Sequence, residues 1–486
     1  MSDSLKQKTV RGASWSFVEQ ILARGVNFVI GIILARLLSP TEYGLVGMLG
    51  IFIAISQLFI DGGLTSALIR TKNPSEKDFS TVYLINMGLS VVFYFLLFFA
   101  APLIADFYKQ PLLKPLARAI ALVFVIGSIS SIQGTLLTIR VDFKTKTIIS
   151  LASSIISGVT GILCAYKGLG VWALVAQTLT SAATASILTL LFVRWIPKLV
   201  FSKDSFNRLF SYSSKLLAAS LVSTIYDNAY PLVIGKRFTA ADVGQFSRAG
   251  QFPGTANSII VGALNRVAFP VLSQVQDEDE LLLRVYEKYL QLSCFIIFPL
   301  LMGICGCARP LVSILLKDQW LECVPLMQIL CFGLLTNGIT IINLNLLYVK
   351  GRTDLVLRLE MIKMSIAFFI LFVSMFFNIR IICYGQVLYC FIALFLNTHY
   401  TKKILKYPFS EQMKAVIPYF ILSLMVLAES LLFSFFIDND YLVLGFSSLM
   451  GAFSYIYLAK TFHLYAYLEC KELIMNWIVT HTHRHI

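Results

Sequence analysis

The sequence predicts an all-α polytopic membrane protein with about 14 transmembrane helices, built as two six-helix bundles plus a C-terminal helix pair. Composition, the length of the apolar runs and an internal repeat support this fold class. Of the 486 residues, 57% are hydrophobic and only 14% are charged, and the mean hydropathy is +0.78. So few charges cannot cover so much apolar surface in water. Backbone that faces lipid must satisfy its own hydrogen bonds, so the spans are predicted to be helices.

The apolar runs give the order of the spans. Windowed hydropathy places the first six at roughly 12–35, 43–63, 80–105, 116–138, 146–166 and 169–193. The next six lie at roughly 210–235, 244–270, 289–312, 323–349, 356–377 and 380–400, and a final pair lies near 415–436 and 441–460. The predicted domains are a first bundle at 1–200, a second bundle at 201–408, the helix pair at 409–460, and a cytoplasmic or interfacial tail at 461–486.

The internal repeat reads ARLLSPTEYGLVGMLGIF from Ala35 and GKRFTAADVGQFSRAGQF from Gly235. Aligned without a gap, the copies share Gly44 with Gly244, Gly50 with Gly250, and Phe52 with Phe252. They also pair Arg36 with Lys236, Ser39 with Thr239, and Glu42 with Asp242. Membrane helices use few residue types, so chance is the alternative, but charges, hydroxyls and glycines in one register favour duplication. With an even number of spans each, the halves are predicted to be parallel repeats with substrate between them.

Lysine and arginine predict the orientation. With the N-terminus inside, about 27 basic residues fall in cytoplasmic connections and about 10 in external ones, so both termini are predicted to be cytoplasmic. The formal charge of +14 is spread through these connections, which fits membrane topology better than nucleic-acid binding. No metal or cofactor is predicted. The nine cysteines lie mostly in apolar runs, and the terminal HTHRHI is better explained as a frayed tail than as a metal site.

Polar side chains inside the spans are the candidate site, because such groups are costly in a membrane and usually face a cavity. The first helix carries Gln20, Arg24, Asn27 and Gly31 on one face. In the same register, the seventh predicted span (210–235) carries Ser220, Thr224, Asp227 and Pro231. The eighth predicted span (244–270) carries Arg248, Gln251, Thr255, Ser258, Gly262 and Asn265. These stripes predict a hydrated cavity, although small polar groups also hold membrane helices together. Asp61 lies near a helix end and is predicted to be interfacial.

Two arginines deep in their spans, Arg24 and Arg248, are predicted to bind an anionic substrate. Further predicted binding residues are Gln20, Asn27, Gln251, Thr255 and Lys215. Lys215 fits equally well a side chain that reaches the cytoplasmic face. Asp227 is the predicted coupling residue, alternating between a protonated state and an ion pair, and a permanent ion pair is the alternative. Pro231 and Pro253 are predicted to bend or interrupt their helices.

Four segments resemble the polysaccharide-export flippases, the Wzx-like members of the superfamily that also holds MATE drug exporters and lipid II flippases. They are ARLLSPTEYGLVGM after a basic leader, LIRTKNPSEKDFSTVY, LTIRVDFKTKTIISL and LYVKGRTDLVLRL. The resemblance spans residues 5–460 and implies a MATE-like fold in the bacterial inner membrane. It implies alternating-access flipping of undecaprenyl-pyrophosphate-linked oligosaccharide repeat units for lipopolysaccharide, capsule or exopolysaccharide. Arg24 and Arg248 match, by helix and depth, the cationic cavity residues of related flippases.

The partners that the resemblance implies are the lipid-linked oligosaccharide, membrane lipids, and the polysaccharide polymerase and chain-length machinery, with no nucleic acid. A MATE-type cation-coupled exporter is the alternative function, but it usually holds cations with acidic residues, and Asp227 is the clearest mid-span acid here. A membrane-embedded glycan polymerase would need a large external loop, and the external connections are predicted to be about a dozen residues or fewer. No P-loop is present. The chain is therefore predicted not to be an enzyme.

Overall fold

The computed structural model describes residues 25–472, without the side chains of residues 212, 215, 216 and 219. Every regular element in this range is helical. The first helices are α1 (Gly25–Leu37), α2 (Pro40–Asp61), α3 (Leu64–Arg70), α4 (Glu76–Tyr108), α5 (Leu113–Ile120), α6 (Leu122–Ser128), α7 (Ser131–Ile139), α8 (Phe143–Tyr166) and α9 (Trp172–Phe192). The next are α10 (Lys203–Arg237), α11 (Ala240–Gln274), α12 (Asp279–Gly306), α13 (Ala308–Leu316), α14 (Cys323–Val349), α15 (Thr353–Ser374), α16 (Ile379–Leu405), α17 (Phe409–Phe436) and α18 (Asp440–Thr461). A last described helix covers 465–472.

The helices confirm the predicted all-α membrane fold. Among the described residues, ten helices are long and apolar enough to cross a membrane, and the pair Leu113–Ser128 and Ser131–Ile139, bent by 48°, adds an eleventh if it is counted as one span. The remaining predicted spans coincide with α1, α10 and α15. The described part of α1 is short, and α15 carries four charges in its first half, at Asp354, Arg358, Glu360 and Lys363. The predicted count of 14 is compatible with this arrangement.

The chain divides into two compact units, Met1–Gly244 and Gln245–Ile486. The first unit includes α10, because that helix packs on α2, α3 and α4. The predicted domain limits at residues 200, 408 and 460 stay predictions.

Local sequence fixes where the helices of the first unit begin and end. Ser39 precedes α2, and its backbone N–H donates to the Glu42 carboxylate at 2.6 Å while its hydroxyl accepts from the Glu42 N–H at 3.4 Å. This capping box, with Pro40 in the first turn, satisfies N–H groups that have no partner inside the helix. At the other end, Gly62 and Gly63 adopt φ of 52° and 69°, a left-handed backbone that glycine tolerates. The chain therefore breaks sharply between α2 and α3.

In the second unit, a buried polar network joins four helices. Asn343 of α14 accepts at Oδ1 from the Tyr286 hydroxyl of α12 at 3.0 Å and from the Thr401 hydroxyl of α16. Its Nδ2 donates to Gln412 Oε1 of α17 at 3.2 Å. Hydrogen bonds of this kind hold helices together where lipid offers no hydrophobic driving force. The network therefore fixes α12, α14, α16 and α17 as one bundle.

The C-terminal end of the described chain is anchored to the second bundle. The backbone N–H of Ala466 donates to the Tyr419 hydroxyl of α17 at 3.3 Å, and Lys288 of α12 forms an ion pair with Glu469. The hydrogen bond from Lys288 lowers the pKa of the Glu469 carboxyl. Residues 465–472 of the predicted tail therefore pack against helices, and residues 473–486 lie outside the described part of the chain.

Candidate substrate site

The two copies of the repeat begin their helices in the same way. In the second copy, the Thr239 N–H donates to the Asp242 carboxylate at 2.9 Å, and the Asp242 N–H donates back to the Thr239 hydroxyl at 3.2 Å. Ser39 and Glu42 form the matching capping box before α2. The chemistry paired by the alignment therefore performs the same local task in both copies.

The two aligned glycines press these turns against each other within the first unit. A Cβ atom built on Gly44 would lie 1.6 Å from the carbonyl oxygen of Ala240. A Cβ atom built on Gly244 would lie 2.0 Å from the carbonyl oxygen of Pro40. Only glycine permits approaches this close. The two contacts are equivalent, because Pro40 and Ala240 occupy the same position in the aligned copies. We call this reciprocal contact the glycine seam.

The break between α2 and α3 borders a polar cavity in the first unit. The cavity measures about 320 Å³ and is lined by Leu58, Asp61, Gly63, Thr65, Ser66, Leu217 and Ser220. Asp61 lies at the end of α2, where its carboxylate accepts from Gln57 Nε2 at 3.3 Å. One carboxylate beside three hydroxyls is a suitable surface for the hydroxyl groups of a sugar. Ser220 was expected in a cavity, whereas Asp61 was expected only at an interface.

The candidate residues of α1 and α10 include two exposed side chains, Asn27 and Asp227. Asp227 makes no ion pair with any side chain that the structure describes, and Ser223 hydrogen-bonds to it one turn earlier. Its neighbour Asn228 donates to the Thr224 carbonyl at 2.9 Å and faces Gly50 of α2. Asp227 therefore lies on an accessible face of α10. Gln20, Arg24 and the side chain of Lys215 lie outside the described residues.

In the second unit, Arg248 is held among neighbouring side chains. Only 7% of this residue is exposed, and its guanidinium donates to the Gln251 side-chain oxygen one turn later. The same guanidinium lies 5.5 Å from the ring of Trp320. Gln245 also reaches this turn, donating to the Gln319 carbonyl at 2.9 Å. The structure thus brings Arg248 and Gln251 together and adds Trp320, which no local sequence pattern links to α11.

Farther along α11, one polar side chain forms a hydrogen bond within the helix and another forms a hydrogen bond to α14. The Ser258 hydroxyl donates to the Thr255 carbonyl at 2.9 Å, so it is used within the helix. Asn265 accepts from Asn345 of α14 at 2.8 Å, which ties the two helices together. Asn265 therefore holds two helices together, which is the alternative to a cavity role, whereas the Ser258 hydroxyl is bonded within α11 and the half-buried Thr255 side chain stays a binding candidate.

The family profile described as polysaccharide biosynthesis protein matches residues 33–325, more than half of the chain. The chain belongs to this family. The succinoglycan biosynthesis transport protein ExoT of Rhizobium meliloti (strain 1021) is 26% identical over 354 residues, covering 72% of this chain and 71% of ExoT. The lipopolysaccharide biosynthesis protein WzxC of Escherichia coli (strain K12) is 27% identical over 367 residues, covering 74% of each chain. The resemblance to polysaccharide-export flippases is confirmed, and so is the prediction that this polysaccharide biosynthesis protein is not an enzyme.

Solved structures confirm the MATE-like fold of this polysaccharide biosynthesis protein. The lipid II flippase MurJ, in an inward closed conformation, matches with a TM-score of 0.74 at 15% identity, over 93% of this chain and 99% of MurJ. An inward-facing multidrug resistance MATE family transporter matches with a TM-score of 0.61 at 14% identity, over 80% of this chain and 94% of the transporter. The fold is therefore shared with flippases and with exporters, and the polar residues must distinguish the two functions.

Proposed function

We propose that this protein flips undecaprenyl-pyrophosphate-linked oligosaccharide repeat units across the bacterial inner membrane, by alternating access, for surface polysaccharide synthesis. Membership of the polysaccharide biosynthesis family carries the proposal. The name of ExoT, a transport protein of succinoglycan biosynthesis, supports a transport role, and the buried Arg248 supports an anionic cargo such as a pyrophosphate-linked lipid. Both termini lie in the cytoplasm, and the polymerase and chain-length machinery act on the flipped product.

The arginines supply the chemistry for the pyrophosphate. A guanidinium has a permanent charge and a planar fork of donors that matches phosphate oxygens. Gln251 and Trp320 hold the Arg248 guanidinium in place, which reduces the side-chain entropy lost when an anion binds. Arg24 provides the second cation. Gln20, Asn27, Lys215, Gln251 and Thr255 offer donors and acceptors to the glycan, and the Asp61 cavity adds a carboxylate and three hydroxyls.

The family fold also suits a cation-coupled drug exporter, which is the alternative function. Such an exporter would hold a cationic substrate with carboxylates, whereas the most buried charged candidate on α11 is Arg248. A buried cation favours an anionic cargo. Transport of a lipophilic cationic dye by vesicles that contain the wild-type protein, without flipping of the lipid-linked glycan, would favour the exporter instead.

The test of the proposed function uses charge removal. In a bacterial strain that lacks this protein, the double variant Arg24→Ala, Arg248→Ala should lower surface polysaccharide export at least about tenfold, because each charged hydrogen bond contributes roughly 1.5–3 kcal/mol. Arg352→Ala is the matched control, since that exposed arginine pairs only locally with Asp354. Protein amounts in the membrane must be equal in all strains. Full export by the double variant would refute the proposed site.

Energy coupling is assigned to Asp227. Its accessible carboxylate would exchange protons and then pair with an arginine in one conformation. In vesicles with an imposed proton gradient, Asp227→Asn should flip the lipid at the same rate with and without the gradient. Asp106→Asn, at the exposed end of α4, is the control and should keep the wild-type acceleration. If the gradient accelerates the Asp227→Asn variant as it does the wild type, Asp227 is not the coupling residue.

A further inference from the structure

A second cavity of the first unit is almost entirely apolar. It has a volume of about 500 Å³ and lies between α2, α4 and α10. Its walls include Phe52, Ile55, Phe93, Leu97, Phe107 and Leu232. The polar side chain among its lining residues is that of Ser56, whose hydroxyl donates to the Phe52 carbonyl at 2.7 Å and so is used within α2. The cavity therefore offers packing but no hydrogen bonds to an occupant.

The cavity is elongated along α4. Its lining residues on that helix run from Phe93 to Phe107, close to the C-terminal end at Tyr108. At 1.5 Å per residue, this stretch is about 20 Å long, more than half the hydrocarbon thickness of a bilayer. Leu103, one of the lining residues, is 71% exposed, so the cavity opens to the outer surface of the unit. An extended apolar chain fits a space of this kind.

One end of the cavity carries a fixed positive charge. The Lys236 ammonium donates to the Phe107 carbonyl at 2.7 Å and lies 4.1 Å from the centre of the Phe107 ring. Phe107 itself forms the wall at this end. The carbonyl and the ring therefore hold the ammonium at the rim, where it remains exposed. An apolar space with a cation at its rim matches an apolar chain that ends in an anion.

We propose that this cavity binds the part of the substrate's isoprenoid chain nearest the pyrophosphate, with the pyrophosphate itself beside Lys236. This inference rests on the proposed function. With the termini in the cytoplasm, the Lys236 end of the cavity lies on the side of the membrane opposite the cytoplasm. The cavity therefore holds the lipid after it has been flipped. A membrane offers no hydrophobic gain for moving a chain from lipid to protein, so selection depends on close packing and on the ammonium–phosphate contact.

Site-specific photocrosslinking of the full-length protein in nanodiscs tests the proposal. A benzophenone amino acid replaces Leu103, which lines the cavity, or Leu191 of α9, a control that is 66% exposed and does not line it. With radiolabelled undecaprenyl pyrophosphate as the probe, labelling at position 103 should exceed that at 191 by about fivefold, and Lys236→Gln should at least halve it. Excess phosphatidylglycerol or inorganic pyrophosphate should not compete. Equal labelling at both positions, or displacement by phosphatidylglycerol, overturns the proposal and leaves an ordinary lipid contact.

A flipping assay separates this inference from the proposed function. Leu97, which is buried and lines the cavity, is replaced by Trp to fill the space, and Leu190→Trp on α9 is the control. Leu97→Trp should slow flipping several-fold relative to Leu190→Trp, with both variants melting within a few degrees of the wild type. Unchanged flipping by Leu97→Trp overturns the cavity assignment alone. Failure of the wild-type protein to flip the lipid overturns the proposed function, and the crosslinking result decides the cavity if Leu97→Trp does not fold.

Discussion

Two helices, α4 in the first unit and α12 in the second, each contain an internal proline, and the backbone carbonyl that loses its helical partner finds a different donor in each. Proline has no N–H, so the carbonyl four residues earlier loses its helical partner. The Phe98 carbonyl loses its helical partner because of Pro102, and the Phe295 carbonyl loses its partner because of Pro299. In α4, Arg118 Nε of α5 donates to the Phe98 carbonyl at 3.2 Å. In α12, the Tyr455 hydroxyl of α18 donates to the Phe295 carbonyl at 3.0 Å.

In both helices, the ring of the phenylalanine whose carbonyl lost its helical partner also contacts the residue that donates to that carbonyl. The Arg118 guanidinium lies 4.1 Å from the Phe98 ring centre, and the rings of Phe295 and Tyr455 lie 5.2 Å apart. The donors differ in charge and in origin. Arg118 belongs to α5, the next helix along the chain, whereas Tyr455 belongs to α18, 160 residues beyond Phe295. The backbone of α12 is therefore completed by a helix distant in sequence, whereas that of α4 is completed by its immediate neighbour along the chain.

The largest effect is expected at α4. Arg118→Ala removes the charged donor and leaves the Phe98 carbonyl without its partner, so the free energy of unfolding should fall by about 1–3 kcal/mol. Thermal and denaturant unfolding of the purified protein in detergent measures this change. Arg140→Ala, at the exposed end of α7, is the control and should change stability little. Equal stabilities of the two variants would show that the Phe98 carbonyl does not need Arg118.

A smaller effect is expected at α12. Tyr455→Phe keeps the ring contact with Phe295 and removes only the hydroxyl, so the loss should be about 0.6–1 kcal/mol, the usual value for a hydrogen bond between membrane helices. The control is Tyr457→Phe, because Tyr457 is an exposed tyrosine on the same helix. The unfolding assay used for α4 applies here. A larger loss of unfolding free energy for Tyr455→Phe than for Arg118→Ala would contradict the expected order of the two effects.

The smallest effect sharpens the comparison. Pro102→Ala restores an N–H that can bond to the Phe98 carbonyl, so Arg118→Ala should cost less in that background. A double-mutant cycle should return a coupling of about 0.5 kcal/mol or more between positions 102 and 118. The matching cycle pairs Pro299→Ala with Tyr455→Phe. Strict additivity at positions 102 and 118 would mean that Arg118 stabilises α4 by packing rather than by its bond to the freed carbonyl.

Part of this comparison could be predicted from the sequence. Each internal proline identifies the carbonyl it deprives, since the offset of four residues is fixed by helix geometry. The donors could not be predicted, because Arg118 is 20 residues from Phe98 and Tyr455 is 160 residues from Phe295. Only the packing of helices brings them together, and apolar runs do not specify which helices become neighbours.

The candidate site shows the same limit. Three- and four-residue spacing correctly placed Arg248 and Gln251 on one face of α11. It did not predict Trp320, because periodicity identifies the face of a helix but not what lies opposite. The cavity beside Asp61 was also missed, although the Gly62–Gly63 pair that follows marks the end of α2. A carboxylate at a glycine break, with Thr65 and Ser66 just beyond, was the signal that the sequence offered.

The glycine seam has a consequence for the origin of the chain. Gly44 meets Ala240, and Gly244 meets Pro40, so the same patch from each copy is used on both sides. A contact of this form is isologous, the type that two identical subunits make across a two-fold axis. A half-length ancestor could have formed it as a homodimer, where one glycine codon served both sides. After fusion each copy could diverge separately, but a methyl group at either glycine would still press on the backbone of the other copy.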